Sequence, residues 1–184
     1  MQIPEAIEAI KKNMPGAILD EIHFLDETTV EVGKENLVEI LSFLKKMPEP
    51  GYGTLVDLTG VDYLAPIKRT KVVYLIQNPE NHLRIRIIVF VPRDEALPSV
   101  SGLWQGAEWY ERELFDLFGV RFEGHPSLSR ILMPDDWEGH PLRRDYSLTE
   151  EPVQFKHGVK PKIPSEIIHP SKESRNISLL GSKT

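Results

Sequence analysis

The chain has 184 residues, of which 40% are apolar and 27% charged, with a formal net charge of −6 and no cysteine. That length suits one domain with tails, and that composition a folded globular chain rather than a disordered one. The negative balance argues against a nucleic-acid partner, which would want a basic face. The missing cysteine excludes disulfides, thiolate nucleophiles, Cys-ligated zinc and iron–sulfur clusters held by this chain.

The first segment, MQIPEAIEAIKKN, lacks the apolar core of a signal peptide. Ile3, Ile7, Ile10 and Met14 recur at helical steps with Pro4 in the first turn, which predicts a short amphipathic helix. In AILDEIHFLDETTVEV, β-branched and apolar residues flank a polar Asp26-Glu27 tip, the pattern of a hairpin. KENLVEILSFLKKM predicts a second helix with Leu37, Ile40, Leu41 and Leu44 on one stripe and Pro48 as its stop. Strands are expected at 54–64, 71–77 and 82–91. In the last, Leu83, Ile85, Ile87, Val89 and Val91 alternate with Arg84 and Arg86, which fall on a solvated or partner-facing side. The apolar run 87–91 is far too short to cross a bilayer, so no direct membrane insertion is expected.

A third helix is predicted over 101–118, ended by Gly119. Leu103, Ala107, Tyr110, Leu114, Leu117 and Phe118 share its apolar face, while Glu108, Arg112, Glu113 and Asp116 fall opposite. There Arg112 has acidic neighbours four residues away on both sides. Glu111 projects into the apolar arc. A buried carboxylate needs a partner, and Arg121 or Arg130 is the expected one.

After Gly119 the periodicity stops, yet Phe122, Leu128, Ile131, Leu132, Met133, Trp137, Leu142 and Tyr146 are too many large apolar groups for a flexible loop. The expectation is an ordered irregular segment packed on something. Residues 151–184 hold six basic and three acidic residues, leaving 16 against 25 in residues 1–150. A basic extended tail that orders on a partner is expected there.

The tetrapeptide Glu-Gly-His-Pro occurs at 123–126 and again at 138–141. Two histidines near Glu123, Asp135 and Asp136 suggest a metal site, and a small metalloenzyme using His125, His140 and Asp135 is one reading. Zinc ligands, however, sit at short set spacings on ordered elements. Gly before and Pro after each histidine instead define a turn with a fixed exit, which the imidazole would pin. Pro134-Asp135-Asp136 suits turn chemistry, and the Arg143-Arg144-Asp145 run suits carboxylate recognition. No phosphate loop, GxSxG or HExxH is present.

Residues 109–148, WYERELFDLFGVRFEGHPSLSRILMPDDWEGHPLRRDYSL, closely resemble the signature of the 30-kDa subunit family of NADH:quinone oxidoreductase, respiratory complex I. Its first part is matched by Glu111, Arg112, Glu113, Asp116 and Gly119. Its second is matched by Phe122, Gly124, His125, Pro126, Leu128, Arg130, Ile131, Leu132, Pro134, Asp135, Asp136 and Trp137. Gly139, His140, Pro141, Leu142, Arg143, Arg144, Asp145 and Tyr146 complete the third. Ser129 and Ser147 stand where a basic residue and a proline are common.

The resemblance implies an α+β fold of two layers, a mixed β-sheet with helices packed on it. Residues 1–120 would form the globular body, 121–150 an irregular partner-contacting segment, and 151–184 the extended basic tail. It implies a non-catalytic subunit of the hydrophilic arm of a proton-translocating enzyme complex. The chain would lie peripherally on the cytoplasmic side of the cell membrane, beside the large hydrogenase-like subunit and neighbouring iron–sulfur subunits. It would have no fused large-subunit domain. FMN, the iron–sulfur clusters, NADH and the quinone would be bound by other subunits, and this chain would bind no cofactor or metal. The equivalent subunit of a membrane-bound hydrogenase, a formate hydrogenlyase or an F420H2 dehydrogenase is the alternative.

Overall fold

The computed structural model describes residues 3–25, 27–47, 51–64 and 69–147. Asp26 of the predicted hairpin tip, the predicted helix stop Pro48 and the tail 151–184 lie outside the described residues.

Helix α1 spans Ile3–Asn13 and buries Ala6, Ile7 and Ile10, as the three- and four-residue spacing requires. A 3-10 turn, Lys34–Asn36, leads into α2, Leu37–Lys46, whose Leu37, Ile40, Leu41 and Leu44 are all fully buried. The strands β1 (Ile18–Phe24) and β2 (Glu27–Val32) form the expected antiparallel hairpin. They are followed by β3 (Thr54–Tyr63), β4 (Arg69–Gln77) and β5 (Arg84–Pro92). The five strands make one mixed sheet in the order β1-β2-β5-β4-β3, in which only the β2–β5 pair is parallel. The fold is thus α+β with a mixed sheet and three helices packed on it.

Alternation assigns the two faces of the sheet. Val30 pairs with Ile87, Ile87 with Tyr74 and Tyr74 with Leu58, and all four are buried under the helices. Val72, Ile76, Ile85, Val89 and Val91 join them in one contiguous core with the helix stripes. Their neighbours Arg86, Ile88, Phe90, Lys71 and Val73 point to the other face. Ile88 is the one buried apolar residue among those described that lies outside that core.

Helix α3, Ala107–Phe118, packs on β3 where Gly60 has no side chain. A Cβ there would come within 2.8 Å of Leu114. Two short parallel strands, β6 (Ala96–Pro98) and β7 (Arg121–Glu123), bracket α3 in sequence and bury Leu97 against Phe122.

The helix begins six residues later than its apolar pattern predicts. The amides of Leu103 and Trp104 both donate to the Val100 carbonyl and that of Ala107 to Trp104, giving successive turns through Gly102 and Gly106. Glycine's backbone freedom makes that stretch a poor helix interior.

Candidate functional site

The signature residues gather around α3. Gly119 ends the helix in the left-handed region at φ 74°, and its amide donates to the Phe115 carbonyl. After β7 the chain turns at Gly124, φ 79°, and runs back along the outer side of α3 as a strap, touching successive positions of the helix in order.

At the first turn, His125 reaches the helix backbone, with Nε2 3.1 Å from the Glu108 carbonyl. Its Nδ1 accepts the Ser127 amide at 3.0 Å, so Nε2 carries the proton and donates. One turn on, the Arg112 guanidinium donates to the carbonyls of Ser129 and Arg130 at 3.1 and 2.7 Å while lying 5.2 Å from the centre of the Trp109 ring. The acidic neighbours expected for Arg112 are therefore not its partners; strap carbonyls are.

Asp116 is the centre of the arrangement. It is fully buried, not on the solvated face where the helical wheel puts it, because the strap covers that face. One carboxylate oxygen accepts three consecutive amides, Ile131, Leu132 and Met133, at 3.1, 2.7 and 2.8 Å. The other takes the Arg130 guanidinium at 2.6 Å. Arg130 also donates to the carbonyls of Trp137 and Gly139, tying both limbs of the strap to one ion pair. Burial pushes the Asp116 carboxyl up, but the Met133 amide, the Arg130 guanidinium and the two other amides together hold it below the ordinary carboxylate value.

The second Gly-His-Pro turn sits at the other end of α3. Gly139 adopts φ 82°, and His140 Nδ1 lies 2.9 Å from the Asp116 carbonyl. The ring stands edge-on to Phe115. Burial lowers its proton affinity below the ordinary histidine value; the Asp116 carbonyl partly opposes this and the Arg143 and Arg130 charges add to it. The Leu142 amide then donates to Leu117, and Arg143 to the carbonyls of Phe118 and Gly119. A Cβ at Gly119 would lie 2.6 Å from the His140 ring, so the strap requires glycine there twice over.

Eight residues separate the two carbonyls that the histidines touch, about 12 Å along a helix. The histidines pin opposite ends of α3 and do not converge on one ion. Among the described residues no group of three or more His, Asp and Glu side chains is arranged to hold a metal.

Glu111 is fully buried, but no arginine meets it. Val100 N–H donates to one oxygen at 2.7 Å and the Ser99 hydroxyl lies 2.6 Å from the other. Of the two arginines expected, Arg130 is on Asp116 and Arg121 donates to the Asp94 carbonyl. Burial raises the Glu111 carboxyl above its ordinary value, and the Ser99 and Val100 contacts only partly offset this. The two buried carboxylates of α3 thus hold two different loops, Glu111 the one before the helix and Asp116 the one after it.

The strap ends on the sheet. The Arg144 amide donates to Asp62 Oδ2 at 2.9 Å, and Arg93 bridges Asp62, at 2.6 Å, and Asp145. Neither Asp62 nor Arg93 stands out in the sequence. The period-2 pattern of β3 contained the signal, since Leu58, Gly60 and Asp62 share the inward face and a carboxylate there needs a cation.

What remains outward is different in kind. Trp109 and Leu132 are each 61% exposed and Leu142 51%. Glu113, Pro126, Pro134, Asp135, Asp136 and Glu138 are exposed beside them, while Trp137, Pro141 and Tyr146 are half-buried. The arrangement presents apolar side chains with an acidic rim on a rigidly held backbone.

The family described as "Respiratory-chain NADH dehydrogenase, 30 Kd subunit" matches residues 30–152. The corresponding NADH-quinone oxidoreductase subunit of Roseiflexus sp. (strain RS-1), designated C, is 45% identical over 150 residues, covering 81% of this chain and 86% of that one. The protein of the same name from Geobacter sulfurreducens is 44% identical over 145 residues, 78% of this chain and 88% of the relative. Among solved structures, a chain of the membrane-bound sulfane sulfur reductase (MBS), an archaeal respiratory membrane complex, superposes with a TM-score of 0.67 at 25% identity. That match covers 79% of this chain and 85% of the other.

Proposed function

Because the chain belongs to the family of the 30-kDa subunit of respiratory-chain NADH dehydrogenase, we propose that it is a non-catalytic subunit of a proton-translocating NADH:quinone oxidoreductase. It stands beside the large hydrogenase-like subunit, on the cytoplasmic side of the membrane, and supports assembly of the hydrophilic arm. It binds no redox group; flavin, iron–sulfur clusters and quinone belong to neighbouring chains. The residues 121–150 are its main docking segment.

One observation carries this reading. Six polar side chains of the signature, Arg112, Asp116, His125, Arg130, His140 and Arg143, turn inward to the protein's own backbone, while Trp109, Leu132 and Leu142 face out with acidic groups around them. Polar groups spent on holding a surface, with apolar groups presented on it, suit docking rather than chemistry. None of the helices described is long and apolar enough to cross a membrane, which fits attachment through partners.

The likeness to an archaeal respiratory membrane complex supports a second reading, the equivalent subunit of a related complex with another electron donor. The higher identity to NADH-quinone oxidoreductase subunits favours the first. Affinity isolation from detergent-solubilised membranes, with the co-purifying chains identified by mass, tests both. Flavin-binding and iron–sulfur NADH subunits are expected. Recovery of the chain alone would refute an assembly role, and recovery with a nickel-site hydrogenase subunit would favour the second reading.

A further inference from the structure

The three helices and the strap all lie on one side of the sheet, and no described element covers the other. Part of its uncovered face is apolar. Val61, Val73 and Phe90 form an apolar stretch across β3, β4 and β5, beside the buried Ile88. Val61 and Tyr63 are each about two-fifths exposed, at 41% and 40%. Tyr63 and Phe90 pack 6.1 Å apart. The Arg69 guanidinium lies 3.9 Å from the Phe90 ring centre and the Lys71 ammonium 5.7 Å from that of Tyr63.

Arg86, on the same face, is neutralised by Glu27. Arg69 and Lys71 differ. Among the described residues neither has a carboxylate within salt-bridge reach; aromatic rings are their only polarisable partners. Cations held over rings are spread flat against the sheet instead of extended into water. Alternation puts Glu31 and Asp57 on the same face, toward β2 and the far end of β3; the end around Val61, Tyr63 and Phe90, with an apolar centre and two uncompensated positive charges, is the patch that matches an acidic partner.

We propose that this open sheet face is a second docking surface, on the opposite side of the molecule from the strap, and that it receives an acidic, apolar-anchored segment of a neighbouring subunit. The proposal rests on the assembly role given above. The chain's own residues 151–184, with six basic against three acidic residues, have the wrong sign to be the occupant. A second copy would have to offer its acidic strap side to this basic face. That contact is head-to-tail, not the two-fold self-complementary kind that closes most dimers.

The test uses the assembled complex. A photo-crosslinking residue is placed at Val61, and the charge-reversed pair Arg69→Glu/Lys71→Glu is compared with the conservative pair Arg69→Lys/Lys71→Arg. The crosslink is expected on a carboxylate-bearing segment of another subunit. The reversed pair is expected to weaken retention of that subunit on the order of 10-fold or more, as truncating buried charge contacts does, while the conservative pair retains it. A second crosslinker at Leu132 reports the strap contact, so a misfolded variant, which loses both contacts, is distinguished from one that loses only the sheet contact. Crosslinks from Val61 to a second copy, to lipid or to nothing would overturn the proposal, as would unchanged salt resistance in the reversed pair. A chain that co-purifies with no other subunit defeats the assembly role itself, a separate outcome.

Discussion

Two carboxylates on α3 show how much a single residue decides. Asp116 gathers four hydrogen-bond donors, three of them backbone amides that no other group satisfies as well. Asp116→Asn removes the charge that balances Arg130 and is expected to cost about 3–5 kcal/mol, as breaking a buried pair does, measured by denaturant unfolding of the purified protein. Because this carboxyl is held below its ordinary 3.8, its contribution is present above that value and lost as pH falls through the depressed one. Acid unfolding of the Asn variant should therefore be flatter. Glu111 has the opposite sign. Its carboxyl is raised above the ordinary 4.5, so its contribution is complete below 4.5 and is lost as pH rises through the shifted value. Glu111→Gln keeps an acceptor for Val100 N–H and is expected to gain stability relative to the parent as pH rises. Glu111→Leu leaves the Val100 N–H unsatisfied, while Ser99 keeps its Ser101 contacts, and costs about 1–3 kcal/mol. The burial of Glu111 is legible from the helical wheel; that of Asp116 is not, because a wheel assumes one covered face and the strap supplies another.

At the scale of elements, α3 and its strap form one unit. The strap lacks helix or strand because several of its backbone groups bond to α3 side chains and carbonyls, and the bonds it makes to itself, such as Trp137 to Pro134 and Arg143 to His140, close only single turns. That explains a segment rich in Gly, Pro and Asp that is nevertheless ordered. Gly119 is the hinge of the unit. Gly119→Ala meets both a left-handed backbone and the His140 ring. A loss of about 1–3 kcal/mol is expected from the backbone strain, with faster protease cleavage between 126 and 146. His140→Ala leaves the Asp116 carbonyl without its ring partner and should loosen the same limb by about 1–3 kcal/mol, with cleavage near Trp137 as the readout. The helices and β2 to β5 are legible from periods of 3.6 and 2, since each is half-covered, whereas β1, mostly exposed, is legible only from its apolar and β-branched residues before a polar tip. Three-residue strands such as β6 and β7 are too short to show a period. The β2–β5 pairing joins segments 57 residues apart in register, Thr29 with Arg86, and no local pattern carries that distance.

For the whole molecule, the two sides of the sandwich differ in charge. The strap side is apolar with an acidic rim, and the sheet side carries an apolar patch with two uncompensated cations. On the strap side, Trp109→Ala is expected to leave unfolding within about 0.5 kcal/mol of the parent, as surface changes do. It should still weaken incorporation into the complex by about 2 kcal/mol or more, in the manner of an interface anchor. Quantifying this chain in purified complex against its free form reads this directly. Equal incorporation would remove Trp109 from the interface. The order of strap contacts has a consequence for synthesis. Glu108, Arg112, Asp116 and Phe118 are all translated before the residues that cover them, and Asp62 and Arg93 wait longer still for Arg144 and Asp145. On the ribosome, the sheet and helices can assemble early, but Asp116 stays uncovered until residue 133 has emerged, and Asp62 lacks its strap partner until residue 144. A chain stalled before that point exposes charged, half-built surface, a natural substrate for chaperones or proteases.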